Sequence, residues 1–293
     1  MPEMFGTHHS KMMILFRHDD TAQIVIHTAN MIPKDWTNMT NAVWMSPHLP
    51  LSNIVENGGQ SISYPIGSGG GFKHDLLNYL RSYNARRTIS QSLIDKLTKY
   101  DFSAVRGALI ASVPGRHPVA EDHNGVAAWG WQAIGRCLRN IDCRSGTSDI
   151  AVQVSSIATL GATDGWLTNT LFTTLKSCKN ATNRTAHLKV IFPSADEIRQ
   201  SLDGYSSGGS IHTKIQSPQQ AKQLQYLSPM LHHWGSNCAK GMCKSPYPNQ
   251  EALSKCEFSL ILQLWAIVFT YVTVEGPGLR RTLRHTLGTK TRT

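Results

Sequence analysis

The chain has 293 residues, 40% of them hydrophobic and only 16% charged, which suits one large or two modest cores, so a disordered chain is not the default reading. Lys and Arg outnumber Asp and Glu by 29 to 19, a formal charge of +10 that favours a polyanionic partner such as DNA, RNA or an anionic membrane. Six cysteines (Cys137, Cys143, Cys178, Cys238, Cys243 and Cys256) are too sparse for a secreted disulfide scaffold, and the N-terminus lacks the charged head and long apolar stretch of a secretory signal, so reduced thiols inside the cell are expected.

Residues 12–16 and 23–28 are short apolar runs separated by the turn-prone Arg17-His18-Asp19-Asp20, and read as a β-hairpin. Trp44 to Leu51 reads as a further extended segment, and the glycines of 67–71 as a flexible surface loop. Phe72, Leu76, Leu80 and Tyr83 recur at helical spacing, which predicts an amphipathic helix over 72–84. A helical segment ending in Lys96-Leu97-Thr98-Lys99 then gives way to a new strand, and the first domain boundary is placed near Tyr100.

Beyond it, 109–113, 150–157 and 187–192 read as strands, and 126–138, 163–176 and 217–232 as helices. Strands alternating with helices point to an α/β architecture in which a sheet is covered by helices. From Asn237 onward the alternation fades. Residues 258–274 form an uncharged, mostly apolar run ahead of a tail containing Arg280, Arg281, Arg284, Lys290 and Arg292. That run is at the short limit for a membrane span and contains Ser259, Gln263, Thr270 and Thr273, so a buried or poorly ordered segment is expected instead. The resulting division is 1–99, 100–236 and a divergent tail, 237–293.

Chemistry concentrates in Phe5-Gly6-Thr7-His8-His9-Ser10-Lys11 and, after the hairpin, Thr28-Ala29-Asn30. On a strand, residues two apart share a face, so His9 and Lys11 project to one side and Ser10 to the other. An Asn30 at the end of the neighbouring strand would reach the same point. A His for attack, a Lys for charge and an Asn for hydrogen bonding are what a phosphodiester site requires. A His-x-Lys triplet alone is too short to carry that conclusion.

The longer context carries it. Gly-Thr-His-His-Ser-Lys-Met-Met, then Val-Ile-His-Thr-Ala-Asn-Met-Ile and Asp35-Trp36, closely resembles the first His-Lys-Asn motif of tyrosyl-DNA phosphodiesterases, in the phospholipase D superfamily. Further resemblances are Trp44-Met45-Ser46-Pro47, the helix from Phe72 to Leu80, Ser112-Val113-Pro114-Gly115-Arg116, Val154 to Gly161, and Ser201 to Ser210, covering roughly residues 4–236. The resemblance implies phospholipase D-like mixed sheets flanked by helices in two pseudo-symmetric halves, both incomplete. The C-terminal part of the first half, with the motif, would occupy 1–99, and the N-terminal part of the second 100–236. Family sequence is accordingly expected upstream of Met1.

By position, the resemblance makes His9 the nucleophile and gives Lys11 and Asn30 the non-bridging phosphate oxygens. Phe5 falls at a base-stacking position, and Ser155, Ser156 and Thr159 lie in a loop that contacts DNA phosphates, Thr159 replacing the usual Ser. Asn41 stands where Gln is common, and His8 reads as structural.

The superfamily pairs two such motifs, the second histidine protonating the leaving group. His212-Thr213-Lys214 with Asn237 downstream imitates a second motif, but Leu224, Leu227 and Leu231 mark a helical stripe where a hairpin is required, so His212 and Lys214 are read as a decoy. Past Trp234 the Pro-His-x-Lys and Ser-Ala-Asn segments do not appear. Cys238-x4-Cys243 near His232 and His233 is too loosely spaced for a zinc site, and no metal or other cofactor is expected.

The leading expectation is therefore a nuclear hydrolase of 3′-blocked DNA ends, single-stranded or nicked, with a topoisomerase-derived tyrosyl peptide as leaving group. Its activity would be impaired by the missing second motif. The alternatives are a catalytically silent DNA-binding remnant and a membrane-associated lipid phosphodiesterase.

Overall fold

The structure, a computed structural model, describes residues 10–37, 41–52, 64–84, 90–113, 115, 117, 129–142, 146–154, 156–157, 159–179, 184–201, 203–206, 211–213, 216–232 and 270–272. They fall into two compact units, one built on Ser10–Val113 and one on Pro114–Thr270.

In the first unit, β1 (Met12–Phe16) and β2 (Thr21–His27) form the expected antiparallel hairpin, in register from Met12 opposite Ile26 to Phe16 opposite Ala22. Its turn is closed by Asp19, whose carboxylate accepts from the backbone N–H and hydroxyl of Thr21, while Asp20 takes the left-handed conformation at φ 55°. A short helix, α1 (Pro33–Thr37), follows. The segment 44–51 is not one strand but two. Strands β3 (Val43–Met45) and β4 (Leu49–Pro50) both pair with β2. Between them the Ser46 hydroxyl accepts from the Ile24 N–H at 3.0 Å, and Pro47, which has no N–H, cannot extend the ladder.

The glycine-rich stretch is likewise not a loop: helix α2 (Gly69–Asn84) begins inside it. The glycines are there for close approach. A Cβ on Gly69 would stand 1.8 Å from the Phe102 carbonyl oxygen, and one on Gly70 2.6 Å from the Tyr64 ring. Bare backbone lets the first turn pack where any side chain would collide, outweighing the helix penalty of glycine, about 1 kcal/mol per residue. Phe72, Leu76 and Leu80 are buried on α2 as their spacing predicted, and the Phe72 ring lies 5.0 Å from Trp44 of β3. Helix α3 (Gln91–Leu97) buries Ile94 and Leu97, and β5 (Ala108–Ile110) is fully buried, ending earlier than the expected 113.

The second unit contains α4 (Gly130–Leu138), β6 (Gly146–Gln153) and β7 (Ser156–Ile157). A wound segment, π-helical over Leu167–Phe172, runs directly into α5 (Thr173–Leu175) and buries Leu167, Leu171 and Leu175. After β8 (Arg184–Ile191) come α6 (Ala195–Arg199), β9 (His212–Thr213), α7 (Pro218–Leu227) and β10 (Leu231–His232). Strands β6, β8 and β10 form a parallel sheet with β8 central, and the crossovers between parallel strands are helical.

The predicted strand over 150–157 divides here, because after Val154, whose N–H still donates to the Ile191 carbonyl at 3.1 Å, the chain leaves β8 and β7 pairs with β9 instead. The predicted helix over 217–232 ends at Leu227. Ser228-Pro229-Met230 makes a single 3₁₀ turn, and Leu231-His232 is strand β10 beside Val190 and Ile191. Of the run 258–274 only Thr270–Val272 (β11), a short strand, is described. Among the described residues no helix is long and apolar enough to cross a membrane.

Candidate phosphodiester site

Strand register sorts the first sheet into two faces. Directly opposed residues share a face, so Ser10, Met12 and Ile14 lie with Ile26, Ile24 and Trp44, whereas Lys11, Met13 and Leu15 lie with His27, Val25 and Met45. Helix α2 covers the first face through Phe72 and Trp44, and the Tyr79 hydroxyl donates to Ser10 Oγ at 3.1 Å. Burial pushes the Tyr79 phenol above its ordinary range. Lys11 is thereby assigned to the opposite face, on the side where α1 sits.

There the loop after β2 folds back on itself. Asn30 is not on a strand, because β2 ends three residues earlier, at His27. Asp35 places it instead: one carboxylate oxygen accepts from the Asn30 backbone N–H at 2.7 Å and from its side-chain Nδ2 at 2.9 Å. The Trp36 indole donates to the Asn30 carbonyl at 2.8 Å. Buried His27 presents Nδ1 to the Ala29 carbonyl at 3.1 Å, which requires the proton on that nitrogen, and its ring packs 5.6 Å from Trp36. Asn41 ties the base of the loop, accepting from the Thr28 hydroxyl and donating to the Asp35 carbonyl.

Asp35 also acts on Lys11. Burial lowers the Lys11 pKa below the ordinary lysine range, and the Asp35 charge partly restores it. Asp35 thus holds the carboxamide by hydrogen bonds and contributes a favourable charge to Lys11. Asn30 is exposed and has a second N–H beyond the one given to Asp35, an oriented donor suited to an anionic oxygen.

Sequence reasoning assigned Lys11 and Asn30 to one phosphate but missed Asp35 as the residue that holds Asn30. The clue was Asp35 itself, an acidic residue in the first turn of α1 just after Pro33, where a carboxylate is free to face backward toward preceding N–H groups.

Phe5, His8, His9, Ser155 and Lys214 lie outside the described residues, as do the side chains of Ser156 and His212. The backbones of Ser156 and His212 are opposed in the parallel β7–β9 pair. His212-Thr213 leads into α7, a helix whose N-terminus is closed by a reciprocal Ser217–Gln220 capping box. Thr159 is exposed, and three side chains of α7 grip its loop. Gln220 Nε2 donates to Thr159 Oγ1 at 3.0 Å, Gln223 Oε1 accepts from the Leu160 N–H at 2.7 Å, and the Tyr226 hydroxyl donates to the Gly161 carbonyl at 3.1 Å. Among the described residues no group of three or more His, Cys, Asp and Glu could hold a metal ion, and Cys238, Cys243 and His233 are not among them.

The family model for tyrosyl-DNA phosphodiesterase matches residues 1–255. A probable tyrosyl-DNA phosphodiesterase of Schizosaccharomyces pombe is 31% identical over 278 residues, covering 76% of this chain and 49% of the relative. Tyrosyl-DNA phosphodiesterase 1 of Drosophila melanogaster is also 31% identical, covering 81% of this chain and 40% of the relative. The chain therefore spans less than half the length of either. The crystal structure of the yeast tyrosyl-DNA phosphodiesterase superposes with a TM-score of 0.55 at 19% identity, covering 78% of this chain and 52% of the yeast one. That likeness carries the fold, a mixed α/β arrangement of the phospholipase D-like kind.

Proposed function

The chain belongs to the tyrosyl-DNA phosphodiesterase family, and from that premise we propose that it binds blocked 3′ ends of DNA and attacks the phosphodiester joining a tyrosine to a 3′-phosphate. The observation that supports this most directly is the Asp35 carboxylate, which holds Asn30 and bears on Lys11 together. In the proposed reaction Lys11 and Asn30 bind the non-bridging oxygens. The His9 imidazole attacks phosphorus, a nitrogen–phosphorus bond forms, and the phosphorus–oxygen bond to the tyrosine breaks with the electron pair leaving on the phenolate. Water then releases the 3′-phosphate and restores the histidine.

The family's second histidine would protonate the phenolate, and residues 237–293 contain no second His-Lys-Asn segment to supply it. In this chain solvent takes over that task, so turnover is slow while binding is retained. Nuclear location and a role in DNA repair follow from the same reading. Salt-sensitive binding to a single-stranded 3′-phosphotyrosyl oligonucleotide, with slow release of tyrosine, is the expected result. Hydrolysis of phosphatidylcholine vesicles with no oligonucleotide binding would favour the lipid phosphodiesterase instead, and oligonucleotide binding with no tyrosine release would mark a silent remnant.

Asp35 gives the proposal an internal test. Asp35→Ala removes both bonds to Asn30 and is expected to lower kcat/KM by about 10²-fold, the scale of an ångström misplacement of a binding group. Asp35→Asn keeps an acceptor but deletes the charge that raises the Lys11 pKa. Lys11 then loses its proton at lower pH, so the alkaline fall in affinity for a 3′-phosphorylated oligonucleotide should move to lower pH. An unmoved alkaline limb in Asp35→Asn would mean that Lys11 does not carry the phosphate.

A further inference from the structure

We infer that Gln220 is a positioning residue that turns the Thr159 hydroxyl outward as a hydrogen-bond donor for a phosphate of the DNA backbone. The inference deepens the DNA reading above and rests on it.

The polarity can be traced from one end of the network. Gln220 is the third residue of α7, and its Oε1 accepts from the backbone N–H groups of Gln216 at 2.7 Å and Ser217 at 3.1 Å. In return Ser217 Oγ accepts from the Gln220 N–H at 3.2 Å. Two N–H donors converging on one atom of the carboxamide identify it as the oxygen, because an amide nitrogen could not accept either. The amide's other end, which meets Thr159 Oγ1 at 3.0 Å, is therefore NH₂ and can only donate. Thr159 must accept in that bond, and its single hydroxyl proton is left to donate elsewhere.

A phosphate oxygen only accepts, so the hydroxyl is presented in the sense that a phosphate needs. The backbone beyond it is held as well. Buried Gln223 takes the Leu160 N–H and Tyr226 takes the Gly161 carbonyl, and with Gln220 these side chains recur every three residues along one face of α7. The helix thus sets both the path of the loop and the direction of its donor before any ligand arrives, which reduces the ordering cost of binding. It also gives a reason for a polar, glutamine-rich α7 face beside the loop.

The test uses the full chain and a fluorescently labelled single-stranded oligonucleotide followed by anisotropy. Gln220→Glu retains the capping box, since Glu is favoured at this position, but offers Thr159 an acceptor and so draws its proton inward. Gln219→Glu, at an exposed neighbour, adds the same charge without touching Thr159. Beyond the loss seen in Gln219→Glu, Gln220→Glu is expected to weaken binding roughly tenfold, as is Thr159→Val, with an unchanged thermal midpoint. Thr159→Ser should bind like the wild type. The double variant Gln220→Glu/Thr159→Val should lose no more than the worse single variant plus the charge effect, because both act through one proton.

Equal affinities for Gln220→Glu and Gln219→Glu, or losses that multiply in the double variant, would overturn the inference while leaving DNA binding intact. Absence of oligonucleotide binding by the wild-type chain would overturn the DNA reading and this inference with it.

Discussion

A His9→Ala chain is expected to release tyrosine from a 3′-phosphotyrosyl oligonucleotide at the uncatalysed rate, while the unaltered chain releases it measurably but far more slowly than a complete family member. The two shortfalls have different origins. Removing His9 deletes the atom that would bond to phosphorus, so no covalent intermediate can form. The unaltered chain keeps His9, Lys11 and the Asn30 held by Asp35, and under the proposed reading has no second histidine to protonate the departing phenolate. General acid–base assistance contributes roughly 10²–10⁴-fold, and the deficit should fall within that span. A less basic leaving group, such as 3′-phospho-4-nitrophenol, needs little protonation and should recover most of it. Equal rates for His9→Ala and the unaltered chain would remove His9 from the nucleophile role, and turnover at the rate of complete enzymes would show that an acid is present after all.

The second large effect is expected on stability. Phe72 is 1% exposed, its ring packed between Trp44 at 5.0 Å and Phe102 at 6.2 Å. It is the first large side chain after the glycine turn of α2, so it anchors the helix where no other side chain can enter. Phe72→Ala should cost the Ser10–Val113 unit about 3–5 kcal/mol, the range for deleting a buried aromatic ring. Urea unfolding followed by tryptophan fluorescence measures it, and a loss below about 1 kcal/mol would show that the site relaxes around the cavity. Because Tyr79 on the same helix holds Ser10, next to Lys11, the variant should also weaken phosphate binding under conditions where it remains folded.

Much of this was legible in the linear sequence. The hairpin of β1 and β2 follows from two apolar runs around a polar turn, both local signals, and the buried stripe of α2 follows from its helical spacing. Fold class and family were legible too, since the motif around Lys11 and Asn30 is long enough to be specific. The misreadings share one cause. The glycines of 69–71 look like a loop unless Phe102 and Tyr64 are known to press against them, and the leucine spacing through 231 looks helical unless β8 is known to wait for Leu231 and His232 as a strand partner.

The linear order of residues establishes the chemistry available: a histidine, a lysine and an asparagine at strand-and-turn spacing, in a basic chain of the tyrosyl-DNA phosphodiesterase family. Tertiary structure alone decided how that chemistry is aimed. Asp35 reaches Asn30 only because α1 folds back across the end of β2, and Gln220 meets Thr159 across 61 residues of chain. Periodicity is a property of neighbours along the chain, whereas the direction of a hydroxyl proton or the partner of a carboxamide depends on which distant groups packing brings within about 3 Å.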